Sequence, residues 1–166
     1  MNLKKVLSFN FFVDKVRDRT NNDNMKYEVD LIIYIISRIR EKANRFIVDE
    51  LKSHGLQDLA PIHGEILLAL FSQGELSMKQ IAALIDRKKS TVTTLVEKLI
   101  KLGYAQKKLD VYDNRSFLIS LTDNGYNLRE VLIEISNKLL DKVYKDLPLQ
   151  ERKQLVKSLK KILDHW

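Results

Sequence analysis

The hydrophobic residues between positions 75 and 121 follow helical spacing twice and then form two short strand-like runs. A first helix is predicted after Ser77, whose hydroxyl and the Gln80 side chain have the spacing of a capping box. Asp86 lies where the chain must turn, in a conformation that Asp tolerates better than most residues. A second helix ends at Gly103, a left-handed C-cap, and is predicted from a stripe of Val92, Leu95, Val96, Leu99 and Leu102.

The polar face of this second helix carries short hydroxyls and ammonium groups, with Glu97 its only acid: Lys88, Lys89, Ser90, Thr91, Thr93, Thr94, Lys98 and Lys101. Short side chains let a helix lie close to base edges, and the helix N-terminus favours a phosphate. We therefore predict a DNA-reading helix in which the hydroxyls touch bases. Phosphate contacts are predicted for Lys88, Lys89 and Lys98 of this face and for Lys107 and Lys108.

The two strand-like runs, residues 104–109 and 116–121, surround a polar tip. Arg115 in this tip has the reach to enter a minor groove, where negative potential is strongest, and Asp113 is placed to brace its guanidinium. A helix-turn-helix followed by such a hairpin predicts a winged helix-turn-helix.

A long helix is predicted upstream, from Lys26 to about Ser53, and Gly55 ends it. Its segment 31–36 is apolar around the full circumference, which requires burial on all sides. A small monomer has too little protein to cover it, so a partner chain is expected. Residues 1–24 leave two alternatives open: an extra helix that packs across a dimer, or an arm without a role.

Three more helices are predicted around the reader. One begins near Pro61 and closes at Gly74, one is capped by Thr122 and runs to about Lys145, and the last begins at Pro148.

The distribution of charge along the chain supports a DNA-binding role more strongly than the overall composition does. The net charge is +7, and residues 77–115 carry nine basic and four acidic side chains, a net +5. The positive field therefore lies on the predicted reader.

The absence of cysteine fits a reducing cytoplasm and excludes a thiolate zinc site or a thiol sensor. No apolar run approaches ~18 residues, and the N-terminus lacks a signal-peptide cleavage site, so neither a membrane span nor secretion is expected.

No enzyme class is favoured, because the sequence has no glycine-rich phosphate loop and no cluster of metal ligands. His54, His63 and His165 have no ligand spacing, so no metal and no cofactor are expected. His63 is interpreted first as a partly buried side chain bonded to backbone or solvent.

The segments IAALIDRKKSTVTTLVEKLIKLGY, DNRS and LISLTDNG, in this order and spacing, resemble the multiple-antibiotic-resistance regulator (MarR) family of bacterial transcription factors. The resemblance implies a mainly α fold with a small β-hairpin wing, and a winged helix-turn-helix core flanked by N- and C-terminal dimerisation helices. It assigns the major groove to residues 90–94 and the minor groove to Arg115. At Lys88 the family often has an Asp or Ser cap, so either Ser90 caps a helix that starts later or a bound phosphate satisfies the free N–H groups.

The resulting domain assignment is an extension at 1–24, a dimerisation region at 25–60 and 123–166, and a DNA-binding domain at 61–122. The expected protein is a cytoplasmic, nucleoid-associated homodimer that binds an inverted-repeat operator in double-stranded DNA, as a repressor. Resemblance also implies a small anionic or phenolic effector, with Tyr34, Arg38 and His63 as candidate contacts. The alternative is a winged-helix module for non-specific DNA binding or protein interaction, without effector sensing.

Overall fold

Seven helices and three short strands make up the residues that the computed structural model describes, 31–109 and 117–166. The chain divides into two compact units, residues 1–42 and 43–166. In chain order the elements are α1 (Ile32–Ser53), α2 (Pro61–Gln73), β1 (Leu76–Ser77), α3 (Met78–Leu84), α4 (Lys89–Lys101), β2 (Ala105–Leu109), β3 (Phe117–Leu121), α5 (Asp123–Asn127), α6 (Arg129–Val143) and α7 (Leu149–Leu163). Residues 1–24, and the predicted start of the first helix at Lys26, lie outside the described residues.

The helix boundaries follow the local signals in the sequence. Pro61 occupies the first turn of α2, where its missing N–H costs nothing. Positive φ angles of 75° at Gly55, 78° at Gly74 and 77° at Gly103 let the chain leave α1, α2 and α4. The predicted helix ends at these three glycines are thus confirmed.

The first part of α1 is apolar but exposed in the single chain. Ile33 is 59% exposed and Ile39 is 52% exposed, and Ile32, Ile35 and Ile36 are exposed as well. One chain therefore leaves this hydrophobic stretch open to solvent.

The core of the second unit lies between α2, α4 and the sheet. The side chains with no exposed surface are Ile66, Leu67, Leu70, Ile81, Val92, Val96, Leu99 and Ile119. Full burial of an aliphatic side chain stabilises a fold by about 1.5 to 3 kcal/mol, so this cluster holds α4 firmly against its support.

The sheet has three antiparallel strands in the order β1-β3-β2. The hairpin register pairs Ala105 with Leu121 and Leu109 with Phe117, which confirms the two predicted strands. The short strand β1, in which Leu76 pairs with Ile119, was not predicted. Two residues are too few to show an alternating pattern, so only the pairing with β3 reveals them.

The prediction of one continuous helix after Thr122 is wrong at Leu128, where α5 ends before α6 begins. The Leu128 N–H donates to the Gly125 carbonyl at 3.2 Å, a tight three-residue turn typical of the end of a short helix. The predicted cap is confirmed, because the Thr122 Oγ1 accepts from the Gly125 N–H at 3.1 Å.

The last two helices meet at a fixed elbow. Pro148 precedes α7, as predicted, and the Arg152 guanidinium donates to the carbonyls of Leu147 at 2.6 Å and Tyr144 at 3.1 Å. The Tyr144 carbonyl also accepts from the Leu147 N–H at 3.1 Å, so Arg152 adds a second bond there and ties the end of α6 to the start of α7. Beyond the elbow α7 has no buried side chain, although leucines recur along it together with Val156 and Ile162.

Candidate nucleic-acid interface

Helix α3 and the turn after it set the position of α4. The Gln80 N–H donates to the Ser77 Oγ at 3.3 Å, and the Ser77 N–H donates to the Gln80 Oε1 at 2.8 Å, so the predicted capping box forms. Asp86 adopts a φ of 49°, the left-handed conformation expected at the turn. The two helices pack against each other, and Ile81 of α3 and Val92 of α4 are both fully buried in the core.

Helix α4 presents the predicted reading face opposite its buried stripe. Val92, Val96 and Leu99 point into the core. The exposed residues of the predicted set are Lys88, Lys89, Ser90, Thr91, Thr94, Lys98 and Lys101, whereas Thr93 is half-buried. The structure therefore brings these side chains together on one accessible surface of one rigid helix.

Two threonine hydroxyls on this face are already oriented. The Thr93 Oγ1 donates to the Lys89 carbonyl at 3.0 Å, and the Thr94 Oγ1 donates to the Ser90 carbonyl at 3.5 Å. A hydroxyl that donates its proton to the backbone offers only lone pairs and a methyl group outward. In the major groove these would suit the amino groups of adenine or cytosine, or the methyl group of thymine.

The N-terminus of α4 has no side-chain cap. Its N-cap is Lys88, whose backbone carbonyl accepts from the Val92 N–H at 3.1 Å and whose side chain makes no capping bond. The alternative in which Ser90 caps a later-starting helix is wrong, since α4 begins at Lys89. Lysine side chains cannot accept hydrogen bonds, so neither Lys88 nor Lys89 can cap the first-turn N–H groups of α4.

The two lysines of the wing differ in their surroundings. Lys107 and Lys108 are neighbours on β2, so their side chains leave opposite faces of the sheet. The Lys108 Nζ lies 2.6 Å from the Glu75 Oε1, an exposed ion pair that joins β2 to the residue before β1. Sequence reasoning missed Glu75, because only the β1–β3–β2 order brings it beside Lys108. The predicted Asp113 and Arg115 lie outside the described residues.

His63 is buried near the reader, with 4% of its surface exposed. Its ring Nδ1 accepts from the Ala60 N–H at 2.9 Å, and the His63 backbone N–H donates to the Ala60 carbonyl at 2.9 Å. The neutral ring therefore carries its proton on Nε2, which has no hydrogen-bond partner among the described residues. Burial lowers the pKa of His63, and the positive charge of Lys98 lowers it further. These contacts match the structural interpretation of His63, while its effector role stays a prediction.

The other two effector candidates lie on α1. Tyr34 is half-buried, and the exposed Arg38 pairs with Glu41 at 2.6 Å. Both belong to the unit 1–42, whereas His63 belongs to the unit 43–166.

Within residues 31–109 and 117–166 no His, Cys, Asp and Glu side chains are grouped as a metal site requires. In the same ranges, no helix has the length and apolar character needed to cross a membrane.

Comparison with known proteins agrees with this geometry. Residues 57–116 match the model of the MarR family. The organic hydroperoxide resistance transcriptional regulator of Bacillus subtilis is 30% identical over 120 residues, which cover 71% of this chain and 78% of that protein. The HTH-type transcriptional regulator SarZ of Staphylococcus haemolyticus is 29% identical over 115 residues, covering 69% of this chain and 75% of SarZ.

A solved structure of BpsR from Bordetella bronchiseptica shares the fold, with a TM-score of 0.72 at 21% identity over 80% of this chain and 93% of that one. The mainly helical architecture with a small antiparallel sheet is thus that of winged-helix regulators. These relatives are transcriptional regulators, and regulators of this class are not enzymes. The exposed polar face of α4, the hairpin that follows it and these similarities together show that the chain belongs to the MarR family of winged helix-turn-helix transcriptional regulators.

Proposed function

We propose that this chain is a homodimeric, sequence-specific DNA-binding repressor that occupies an inverted-repeat operator in the cytoplasm. The observation that carries the proposal is the exposed face of α4, where ammonium groups and small hydroxyls lie together on a helix fixed by a buried stripe. Helices with this surface enter the major groove and read base edges.

Each residue of the reading face has a role in the proposal. Lys88, Lys89, Lys98 and Lys107 hold phosphates. Lys108 does so after exchanging its bond with Glu75 for a phosphate oxygen, at little cost because the ion pair is exposed. Ser90, Thr91, Thr93 and Thr94 contact bases. The resemblance assigns Arg115 to the adjacent minor groove, with Asp113 holding its guanidinium.

A second copy of the chain is the partner that fits the exposed apolar surfaces. The five isoleucines in the first part of α1 are exposed in the single chain, and α7 carries apolar side chains without burying one. Pairing two copies through residues 25–60 and 123–166 would cover both surfaces, with 61–122 as the DNA-binding domain and 1–24 as an extension. Twofold symmetry would then set two copies of α4 about 34 Å apart, one helical turn of DNA.

Small-molecule control completes the proposal. DNA binding by BpsR, whose solved structure shares this fold, is regulated by 6-hydroxynicotinic acid, an aromatic acid that forms an anion. For this chain we propose an anionic or phenolic effector, with Tyr34, Arg38 and His63 each taken separately as a candidate contact. Arg38 offers an exposed cation, and the buried Nε2 of His63 offers a hydrogen-bond donor without a partner among the described residues. A ligand bound more tightly by one spacing of the two reading helices would shift the population away from the other.

Selection of bound sequences from a random duplex pool tests the proposal. Enrichment of an inverted repeat with half-sites one helical turn apart is the expected result. A pool that stays random while the protein still binds it would support the non-specific alternative instead. A thermal-shift screen of hydroxylated aromatic acids tests the effector, and a screen in which no compound stabilises the protein would remove that part alone.

A further inference from the structure

The hairpin of β2 and β3 carries an apolar pair that its own core does not cover. Directly paired residues of antiparallel strands point to the same face of a sheet. On the core face the pairs are Ala105–Leu121, Lys107–Ile119 and Leu109–Phe117. In the first two pairs the apolar side chains are buried: Ala105 is 3% exposed, Leu121 4% and Ile119 0%. In the third pair, Leu109 is 60% exposed and Phe117 is 51% exposed.

This third pair is the last described step of the hairpin before its tip. Single exposed apolar residues are ordinary on protein surfaces, but two that face each other across a ladder form a continuous patch. Leu109 and Phe117 are the only large apolar side chains of the described strand residues that are exposed. We call them the apolar rung.

The charges around the apolar rung favour a partner that is a polyanion and also offers apolar surface. The described residues of β2 and β3 include Lys107 and Lys108 and no acidic residue. Lys107 shares the face of the rung and is exposed. A protein patch of this kind would gain from a polyanion whose surface also offers C–H groups, and the minor groove of DNA has deoxyribose walls flanked by phosphates.

The position of the hairpin points to the same groove. β2 follows α4 after the short turn at Gly103, and the two elements pack against each other. Major and minor grooves alternate along a duplex, so an element that projects beside a helix in the major groove meets the neighbouring minor groove. Apolar side chains of this type make contacts in minor grooves in other architectures.

We propose that Leu109 and Phe117 form an apolar contact with the deoxyribose walls of the minor groove that flanks each half-site. This inference rests on the proposed function. It adds an apolar contact made by residues of the strands, which differs in chemistry from the charged contact proposed for the arginine at the tip. Its contribution is independent of salt, because an apolar side chain displaces no counterion. The lysines of the reading face, in contrast, act through counterion release.

The test compares two double variants on the selected operator. Leu109→Ser with Phe117→Ser removes the apolar surface, and Leu109→Met with Phe117→Leu keeps it as the matched control. Titrations at four salt concentrations should show operator affinity about tenfold weaker for the serine variant, with an unchanged slope of log K against log salt. The control should bind within about twofold of the unsubstituted protein.

Hydroxyl-radical footprinting supplies a second readout, because the radical attacks deoxyribose from the minor groove. The unsubstituted protein and the control should protect the sugars beside each half-site, and the serine variant should lose this protection. Circular dichroism checks folding, and Leu109→Ser alone replaces the double variant if that one unfolds. Equal affinities and footprints for all proteins would overturn the inference, as would a changed salt slope. Failure of the unsubstituted protein to prefer its operator would instead overturn the proposed function.

Discussion

Replacing Gly125 with alanine is expected to destabilise the junction between the wing and the helices after it. A Cβ atom at Gly125 would lie 2.0 Å from the carbonyl oxygen and 3.0 Å from the carbonyl carbon of Tyr104, and 3.2 Å from the Leu121 Cδ2. The Tyr104 carbonyl cannot simply rotate away, since it accepts from the Thr122 N–H at 3.1 Å. Something in the backbone has to move.

The expected cost follows from these contacts. Forcing an extra carbon into a filled site costs about 1 to 3 kcal/mol, and loss of the bond to Tyr104 costs about 1 kcal/mol more. Alanine recovers up to about 1 kcal/mol through its better helix propensity. The Gly125→Ala variant should therefore lose about 1 to 3 kcal/mol of unfolding free energy.

Gly64 provides the matched control for this substitution. It lies inside α2, and a Cβ there would meet nothing within 4 Å. Gly64→Ala should leave the protein unchanged or stabilise it by up to about 1 kcal/mol. Urea unfolding of both variants, followed by circular dichroism, measures the difference. Equal stabilities for the two variants would refute the claim that a close backbone approach requires glycine at position 125.

Three further predictions concern protonation and DNA contacts. Because the pKa of His63 is lowered in the folded protein, the unfolded state takes up the proton first, and stability should fall as pH drops below about 6.5. His63→Gln should flatten that part of the pH profile of the urea midpoint, and parallel profiles would contradict the assignment. Lys89→Ala should weaken operator and random duplex alike and reduce the salt slope by about one unit, whereas an operator-selective loss would show a base contact. Arg115→Ala should cost about 1 to 3 kcal/mol in operator binding without changing the melting temperature, and an unchanged isotherm would exclude the wing tip from binding.

Local signals made the reader predictable from the sequence. The Ser77–Gln80 capping box and the left-handed Asp86 each depend on a few neighbouring residues, and both are present in the structure. The stripe that includes Val92, Val96 and Leu99 likewise fixed which face of α4 would be exposed. Periodicity and capping act within one or two turns, so a single sequence contains them.

Contacts between distant segments were not predictable in this way. The seam between α1 and α6 is an example: the Lys142 Nζ lies 5.4 Å from the Phe46 ring centre, and the Lys138 Nζ lies 2.9 Å from the Glu50 Oε2. A third contact, 3.7 Å from the His54 Nε2 to the Glu134 Oε2, continues the series. The contacting residues are four apart on each side, with His54 lying just after the end of α1. Their alignment is set only by the folded chain.

The pKa shifts of charged side chains at this seam could not be predicted from the sequence either. The hydrogen bond and charge of Lys138 lower the pKa of Glu134, and the bonds of Lys138 to Glu134 and Glu50 raise its own pKa. On the sequence alone, Glu134 and Lys138 are simply an i,i+4 pair on a helix. The close approach of the Gly125 backbone to the Tyr104 carbonyl likewise joins segments that are separated in the chain.

The most direct test of the central claim is the pair of dissociation constants for the selected operator and for a shuffled duplex of the same composition, measured at physiological salt. A twofold reader built on α4 should bind the operator about a thousandfold or more tightly than the shuffled duplex, with two chains per site. Equal constants, or a single chain on each saturated operator, would contradict the account.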